Sequence, residues 1–470
     1  MIKRNGGPFA ALFLVFAISA AAPPSDPYYG SSGSWGQDHD DQWAIKRVGF
    51  TADDQSAWER LGPNPQPVVV AIIDTGLDWN HLDINWKNIW RNENEVPDNG
   101  IDDDQNGHVD DIIGWDFFAD TNSPWDHDGH GTFVAGVIAA NFDNSIGIAG
   151  INPYARIMVL KALNSFGHTR ASYLAQAILY AADNGARIIN MSTGGPDLTE
   201  IETAALDYAL SKGLLVVVAA GNEGTNLETQ GRASHPGVIT VAATGFEDER
   251  AGFSNWGPQV SVAAPGLDIL SLRARRTDLM RDIEDVEYEN SAAYVGEDRR
   301  YYRASGTSFS APVVTGIASL ILSKDPDLTA DEVKRMILQS ARDIEIPGVD
   351  ELTGYGLVDA RSALTADPSF FVEARITELQ AASVEGTIVV RILGTADASE
   401  FGQAWIEIGP GENPADWQKV SRTISEPVRE GILDDLAADN FTGFSQWVVR
   451  LIVEHANGAR RESRFTLSVE

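Results

Sequence analysis

The strongest constraint on the fold is an alternation that recurs from about Gln42 to Ala363. Apolar runs ending in small or polar residues, PVVVAIIDTG, ARIMVLKAL, ARIINMSTGG, LLVVVAAGNEG and VITVAAT, are separated by segments with a helical period such as SYLAQAILYAADNG. A run that is apolar at nearly every position has no face to give to water, so it reads as a strand covered on both sides. The helical segment ends at Asn184-Gly185, a stop signal, and suits a helix lying on such a sheet. Together these predict an α/β fold, a doubly wound and mostly parallel sheet with helices on both faces. From about Pro368 the pattern changes to alternating strands, GTIVVRILGTAD, FGQAWIEIGPG and QWVVRLIVEHANGARRESRFTLSVE, with Asn457-Gly458 as a hairpin turn. That predicts a separate all-β C-terminal domain, an immunoglobulin-like β-sandwich over 367–470.

With 470 residues, 43% of them hydrophobic, the chain can bury more than one core. Its formal charge of -33 argues against nucleic acid or an anionic membrane as partner. Lys3 and Arg4 precede an apolar run, Phe9 to Ala22, that ends in small residues, which reads as a signal peptide over 1–22. The run is shorter than the roughly 20 residues a membrane span needs, so an uncleaved anchor is the weaker alternative. The expected location is secreted: outside the cell, in a periplasm or at the cell surface. The chain has no cysteine, hence no disulfide, no thiolate metal site and no lipobox anchor. An exported chain without disulfides has use for another staple, such as calcium.

Three motifs in the α/β part carry chemistry. VVVAIID delivers Asp74 at a strand's carboxyl end, followed by the tight turn Thr75-Gly76. DHDGHGTFVAGVIAA sets His130 between two glycines at a helix start, and ASGTSFSAPVVTGIASLIL puts Ser308 in a helix's first turn, where free N–H groups favour an oxyanion. Singly each has a plain structural explanation: a helix cap, a core histidine, an N-cap serine. In the order Asp, His, Ser with these flanks they resemble the subtilisin-like serine peptidases (subtilases), whose patterns run roughly DTG-D, HGTHVAG and GTSMAAP. LLVVVAAGNEG supplies Asn222 at the position the family uses as its side-chain oxyanion donor.

The resemblance implies a peptidase domain over 23–366 in which Asp74, His130 and Ser308 form the triad. Asn222 and the Ser308 N–H would then receive the oxyanion. It also implies an extended protein or peptide substrate lying between Phe166-Gly167-His168 and Ser192-Thr193-Gly194, with cleavage after apolar or aromatic residues as the default. Some positions depart from the family. Thr193 stands where leucine is common, which leaves the specificity pocket's shape open, Phe133 replaces a frequent histidine, and Phe309 replaces the methionine after the nucleophile. QWAIKRVGFTADDQSAWERLG already resembles the mature family N-terminus, so no propeptide is recognisable. Either the chain folds unaided or its natural start lies further upstream.

Two insertions remain. In the acidic stretch 91–118, GIDDDQNGHVDDIIGWDF places oxygen donors at Asp102, Asp104, Asn106 and Asp110, a glycine at Gly107 and the main-chain carbonyl of His108, the opening spacing of a calcium loop. It is no EF-hand, because position 12 is Ile113. Asp111, Glu93 or Asp98 would have to add a ligand, and a merely solvated acidic loop is the alternative. The charged insertion 273–303 reads as a surface loop or as a lid over the primed subsites. The sandwich reads as a stabilising appendage or a binding module. The expectation is thus a secreted, monomeric, calcium-stabilised serine endopeptidase, with an inactive subtilase scaffold used for binding or adhesion as the alternative.

Overall fold

The computed structural model describes residues 23–53, 55–194, 198–227, 231–277 and 293–469. The predicted signal peptide and the middle of the charged insertion, 278–292, lie outside them. The apolar runs form one seven-stranded sheet of β1 (Val68–Asp74), β2 (Gly114–Asp116), β3 (Ala155–Lys161), β4 (Ile188–Met191), β5 (Leu215–Ala219), β6 (Ile239–Thr244) and β7 (Val262–Pro265). Their order is β2-β3-β1-β4-β5-β6-β7, with every pairing parallel.

Alternation along β1 feeds two cores. Val68, Val70 and Ile72 face Phe133, Val134 and Ile317, while Ala71 and Ile73 face Leu174, Ile178 and Leu206. The helices His130–Ala139 and Thr307–Lys324 therefore cover one face, and Ala171–Asp183 and Glu200–Ser211 the other. Thr307–Lys324 is buried along almost its whole length, as a helix that is apolar all round must be. Glu200–Ser211 and Ala330–Ser340 begin with reciprocal capping boxes, Thr199/Glu202 and Thr329/Glu332. The charged insertion leaves from a small antiparallel sheet, β8 (Ile269–Leu272), β9 (Tyr294–Val295) and β10 (Tyr301–Ala304), ordered β8-β10-β9.

After the short helix Ala360–Ala363 all remaining strands are antiparallel. Three of them, β11 (Val372–Val384), β12 (Thr387–Ala398) and β15 (Val428–Ala437), pair as one sheet. The other four, β13 (Phe401–Pro410), β14 (Gln418–Lys419), β16 (Gln446–His455) and β17 (Arg460–Ser468), pair in the order β14-β13-β16-β17. The two sheets enclose Val372, Ile392, Ile406, Trp447 and Leu451. Gly458, at a φ of 90°, turns β16 into β17 as the Asn-Gly signal predicts. This sandwich touches the α/β layer through a bridge between Val349 and Ser463, a bond from Arg375 Nη2 to the Pro258 carbonyl (2.6 Å) and the stacking of Arg461 on Tyr355. No helix among the described residues is long and apolar enough to cross a membrane.

Candidate active site

Strand β1 sits where the sheet order reverses, with β3 on one side and β4 on the other. Open parallel sheets place their ligand crevice beyond the carboxyl ends at such a point. Asp74 closes β1 there, opposite Lys161 of β3. The segments after β3, β4 and β5, which hold Gly167 and His168, Ser192 to Gly194, and Asn222, leave from the same edge.

His130 opens its helix behind Gly129, which takes a φ of 116°. The helix start is pressed onto the strand end, for a Cβ on Gly131 would lie 2.3 Å from the Gly76 carbonyl oxygen. This contact brings His130 Nδ1 to 2.8 and 2.9 Å from the two Asp74 carboxylate oxygens. Burial works against the charged ring, but Asp74, Asp128 and Asp126 outweigh it and hold the His130 pKa above its ordinary value. A carboxylate on Nδ1 leaves Nε2 as the ring nitrogen open to a second partner.

Ser308 is the second residue of Thr307–Lys324, so its N–H has no acceptor within the helix. Its hydroxyl donates to the Ser192 carbonyl at 2.9 Å. Asn222 Oδ1 accepts from Thr307 N and Oγ1 at 2.8 and 2.9 Å. Because the backbone N–H can only donate, the amide orientation is fixed and Nδ2 is left for another acceptor. A pocket beside these groups is lined by Thr193, Gly194, Ala220, Leu227, Arg232 and Ala233. Its base is not wholly apolar: buried Arg232 pairs with Glu202 at 2.7 Å and donates to the Gly194 carbonyl at 2.8 Å. Sequence reading passed over this pair because no local pattern couples residues 30 apart. Phe166 is 77% exposed beside Gly167 and His168. Phe133 and Phe309, two separate departures in the sequence, are one contact, with ring centroids 4.2 Å apart, and Phe309 also packs on His130.

The acidic stretch gathers a carboxylate cluster that differs from the set its spacing suggests. Glu95, Asp104 and Asp111 each bring a carboxylate oxygen within 4.8 Å of the other two. Asn106 donates to both Asp104 and Asp111. Asp102 instead accepts from Asn106 N and Gly107 N, and Asp110, at a φ of 55°, turns its carboxylate onto Asn99 N and Gly100 N. The His108 ring packs against Trp115, Phe117 and Tyr180. Of the proposed extra ligands Asp111 joins the cluster, while Glu93 and Asp98 are exposed. Every hydrogen-bond partner of Glu95, Asp104 and Asp111 is a neutral donor: backbone N–H groups, Asn92, Asn106 or the Tyr180 hydroxyl. Buried negative charge balanced only by dipoles, with oxygen donors alone, fits a hard divalent cation such as calcium.

The sequence profile of the subtilase family matches residues 66–356. The chain is 35% identical over 296 residues to the thermophilic serine proteinase of Bacillus sp. strain AK1, covering 63% of this chain and 61% of that one. It is 34% identical to fervidolysin of Fervidobacterium pennivorans, over 68% of this chain and 43% of the relative. With thermitase of Thermoactinomyces vulgaris it shares 32% identity over 73% of this chain and 97% of the other. It thus spans less than two thirds of the length of the first two relatives. A solved protease structure from Pseudoalteromonas arctica superimposes with a TM-score of 0.54 at 26% identity, over 73% of this chain and 99% of that chain.

Proposed function

Because this chain belongs to the subtilase family, we propose that it is an exported serine endopeptidase, with residues 23–366 as the peptidase and 367–470 as an appended β-sandwich. The observation that carries this reading is the His130–Asp74 contact at the sheet's switch point, next to the helix start that holds Ser308 and packs Phe309 on His130. Ser308 Oγ attacks the peptide carbonyl while His130 Nε2 takes its proton. The tetrahedral oxyanion sits between the Ser308 N–H and Asn222 Nδ2, and collapse breaks the C–N bond as His130 protonates the leaving amine. Water, deprotonated by the same ring, then hydrolyses the acyl ester and returns the proton to Ser308. Asp74 fixes the ring's tautomer and balances its charge.

A peptide extends between 166–168 and 192–194 and adds a strand to those edges. Engaging the Ser192–Gly194 edge would compete with the Ser308–Ser192 bond and free the hydroxyl to turn toward His130, consistent with catalytic hydrogen bonds that tighten only in the complex. Glu95, Asp104 and Asp111 would hold calcium, whose work is to fix the loop ahead of the His130 helix and not to take part in the reaction. The chain is expected to act as a monomer.

The deciding experiment is labelling by a fluorophosphonate probe. Covalent modification of Ser308, lost in Ser308→Ala, together with release of peptides from casein, is expected. A folded chain that takes no label would leave only the binding-scaffold reading.

A further inference from the structure

Behind the triad lies a residue that touches neither Ser308 nor His130's ring, yet joins the elements that carry Asp74 and His130. Asp126 is 1% exposed and precedes His130 by four positions. Its Oδ1 accepts from the Thr75 hydroxyl (2.9 Å), Asp128 N (3.0 Å) and Gly129 N (2.7 Å). Its Oδ2 accepts from Thr132 N (2.9 Å) and Oγ1 (2.6 Å). The Thr75 hydroxyl that donates to Asp126 accepts in turn from Gly131 N at 2.9 Å. Thr75 follows Asp74 directly and donates its own N–H to the Asp74 carboxylate at 2.7 Å. Gly129, Gly131 and Thr132 are the residues on either side of His130. Lys161, buried opposite Asp74, donates its ammonium to the Thr75 carbonyl and places a cation near Asp126.

A helix cap alone would explain the bonds to Gly129 and Thr132. It would not explain the link to Thr75, which comes from a different element of the fold and passes on to Gly131. We propose that Asp126 is a positioning residue of the triad: by binding the end of β1 and the first turn of the His130 helix at once, it sets the distance and angle between Asp74 and His130. The requirement is steep, since a displacement of about 1 Å can cost on the order of 100-fold in rate. The proposal rests on Asp74, His130 and Ser308 being the triad.

The test compares Asp126→Asn, Thr75→Val and Thr75→Ser with the parent in the full chain. Asp126→Asn puts an N–H where Thr132 donates or loses the three-donor oxygen, depending on the flip of the amide. It is expected to lower kcat about 100-fold with KM within threefold, and to shift or broaden the low-field proton resonance of His130 Nδ1–H bonded to Asp74. Thr75→Val, which breaks only the Asp126–Thr75–Gly131 link, is expected to lose about tenfold in kcat, and Thr75→Ser, which keeps the hydroxyl, to retain the parental value. Should Asp126→Asn fail to fold, the valine and serine pair decides. Parental kcat and an unmoved resonance in folded Thr75→Val would overturn the proposal, as would losses that match the fraction unfolded in a melt. If the parent cleaves no peptide, the peptidase reading fails, while the proton resonance still reports on the Asp74–His130 geometry.

Discussion

Two groups of carboxylates, all buried but the half-buried Asp104, lie within the same stretch of chain and are handled in opposite ways. Asp74 and Asp126 stand on or between regular elements, with cationic groups supplied by the chain itself: Lys161 from β3 and the His130 ring. Glu95, Asp104 and Asp111 stand on irregular backbone and are met only by neutral donors. The first group carries its counter-charge in the fold; the second is met by neutral donors, and on the proposed reading a calcium ion supplies its counter-charge. On the proposed peptidase reading, the difference accounts for which group the chemistry uses. A reacting site must keep its geometry whatever ions are present, whereas a loop staple gains by being fastened after folding, in a protein with no cysteine to fasten it otherwise.

The largest effect expected from breaking this contrast is in the first group. Lys161→Met removes a buried cation, leaving the Thr75 carbonyl without its donor and Asp126, Asp116 and Asp74 without a nearby positive charge, which should cost about 3 kcal/mol of unfolding free energy. Urea titrations in chelator and in excess calcium should show the same loss. A loss that calcium repairs would mean the two groups are not independent.

Next comes the metal itself. Calcium at one hundred times its dissociation constant should stabilise the parent by about 2.7 kcal/mol, seen as a rise in Tm over the chelated protein. Asp104→Ala or Asp111→Asn should remove that rise, and Asp110→Asn should leave it in place, because the Asp110 carboxylate faces Asn99 and Gly100. Equal losses for Asp104→Ala and Asp110→Asn would favour the ligand set suggested by the spacing.

That contrast between Asp104 and Asp110 marks where the sequence stopped being legible. Asp74 and His130 were singled out by the resemblance of their flanks to the subtilase motifs; the periods of β1 and of the His130 helix place them at the ends of elements and fix the sheet and its edge. The acidic stretch has no period, so counting donors from Asp102 replaced geometry. The count reached Asp104 but could not foresee that a left-handed residue at Asp110 would turn a carboxylate away, or that Glu95, seven residues upstream of Asp102, would turn inward. Arg232–Glu202 and Phe133–Phe309 were hidden for a related reason: each joins positions that only the folded packing brings together. The threonine and glutamate of the two capping boxes, by contrast, stand three residues apart, a spacing that does not depend on the folded packing.

A smaller effect belongs to pH. The acid limb of kcat/KM should follow His130, rising with pH as the ring loses its proton, and should lie above the ordinary imidazole range because Asp74, Asp128 and Asp126 outweigh the burial of the ring. Asp128→Asn removes one of these anions, so the ring loses its proton more readily and the limb should move toward acid. Chelating calcium should not move it, since the acidic loop's charge is not directed at His130. A limb that shifts with chelator and ignores Asp128→Asn would reverse the assignment of the two groups.

The smallest effect concerns how dry the first group is. Phe309 is fully buried, packed at a tilt against Phe133 and set beside His130. Phe309→Met swaps side chains of similar volume and should cost no more than about 1.5 kcal/mol before any oxidant is added. It also puts a thioether where the parent has only carbon. Peroxide converts a thioether to a sulfoxide, whose polar oxygen would then lie unpaired against the catalytic ring, while a phenyl ring offers no such reaction. Under the same peroxide treatment the parent should therefore keep its peptidase activity for longer than Phe309→Met, and the calcium-dependent rise in Tm should be alike in both, because the acidic loop contains no sulfur. Equal rates of inactivation would show that the oxidised group lies elsewhere and that burial beside His130 protects it less than the packing implies.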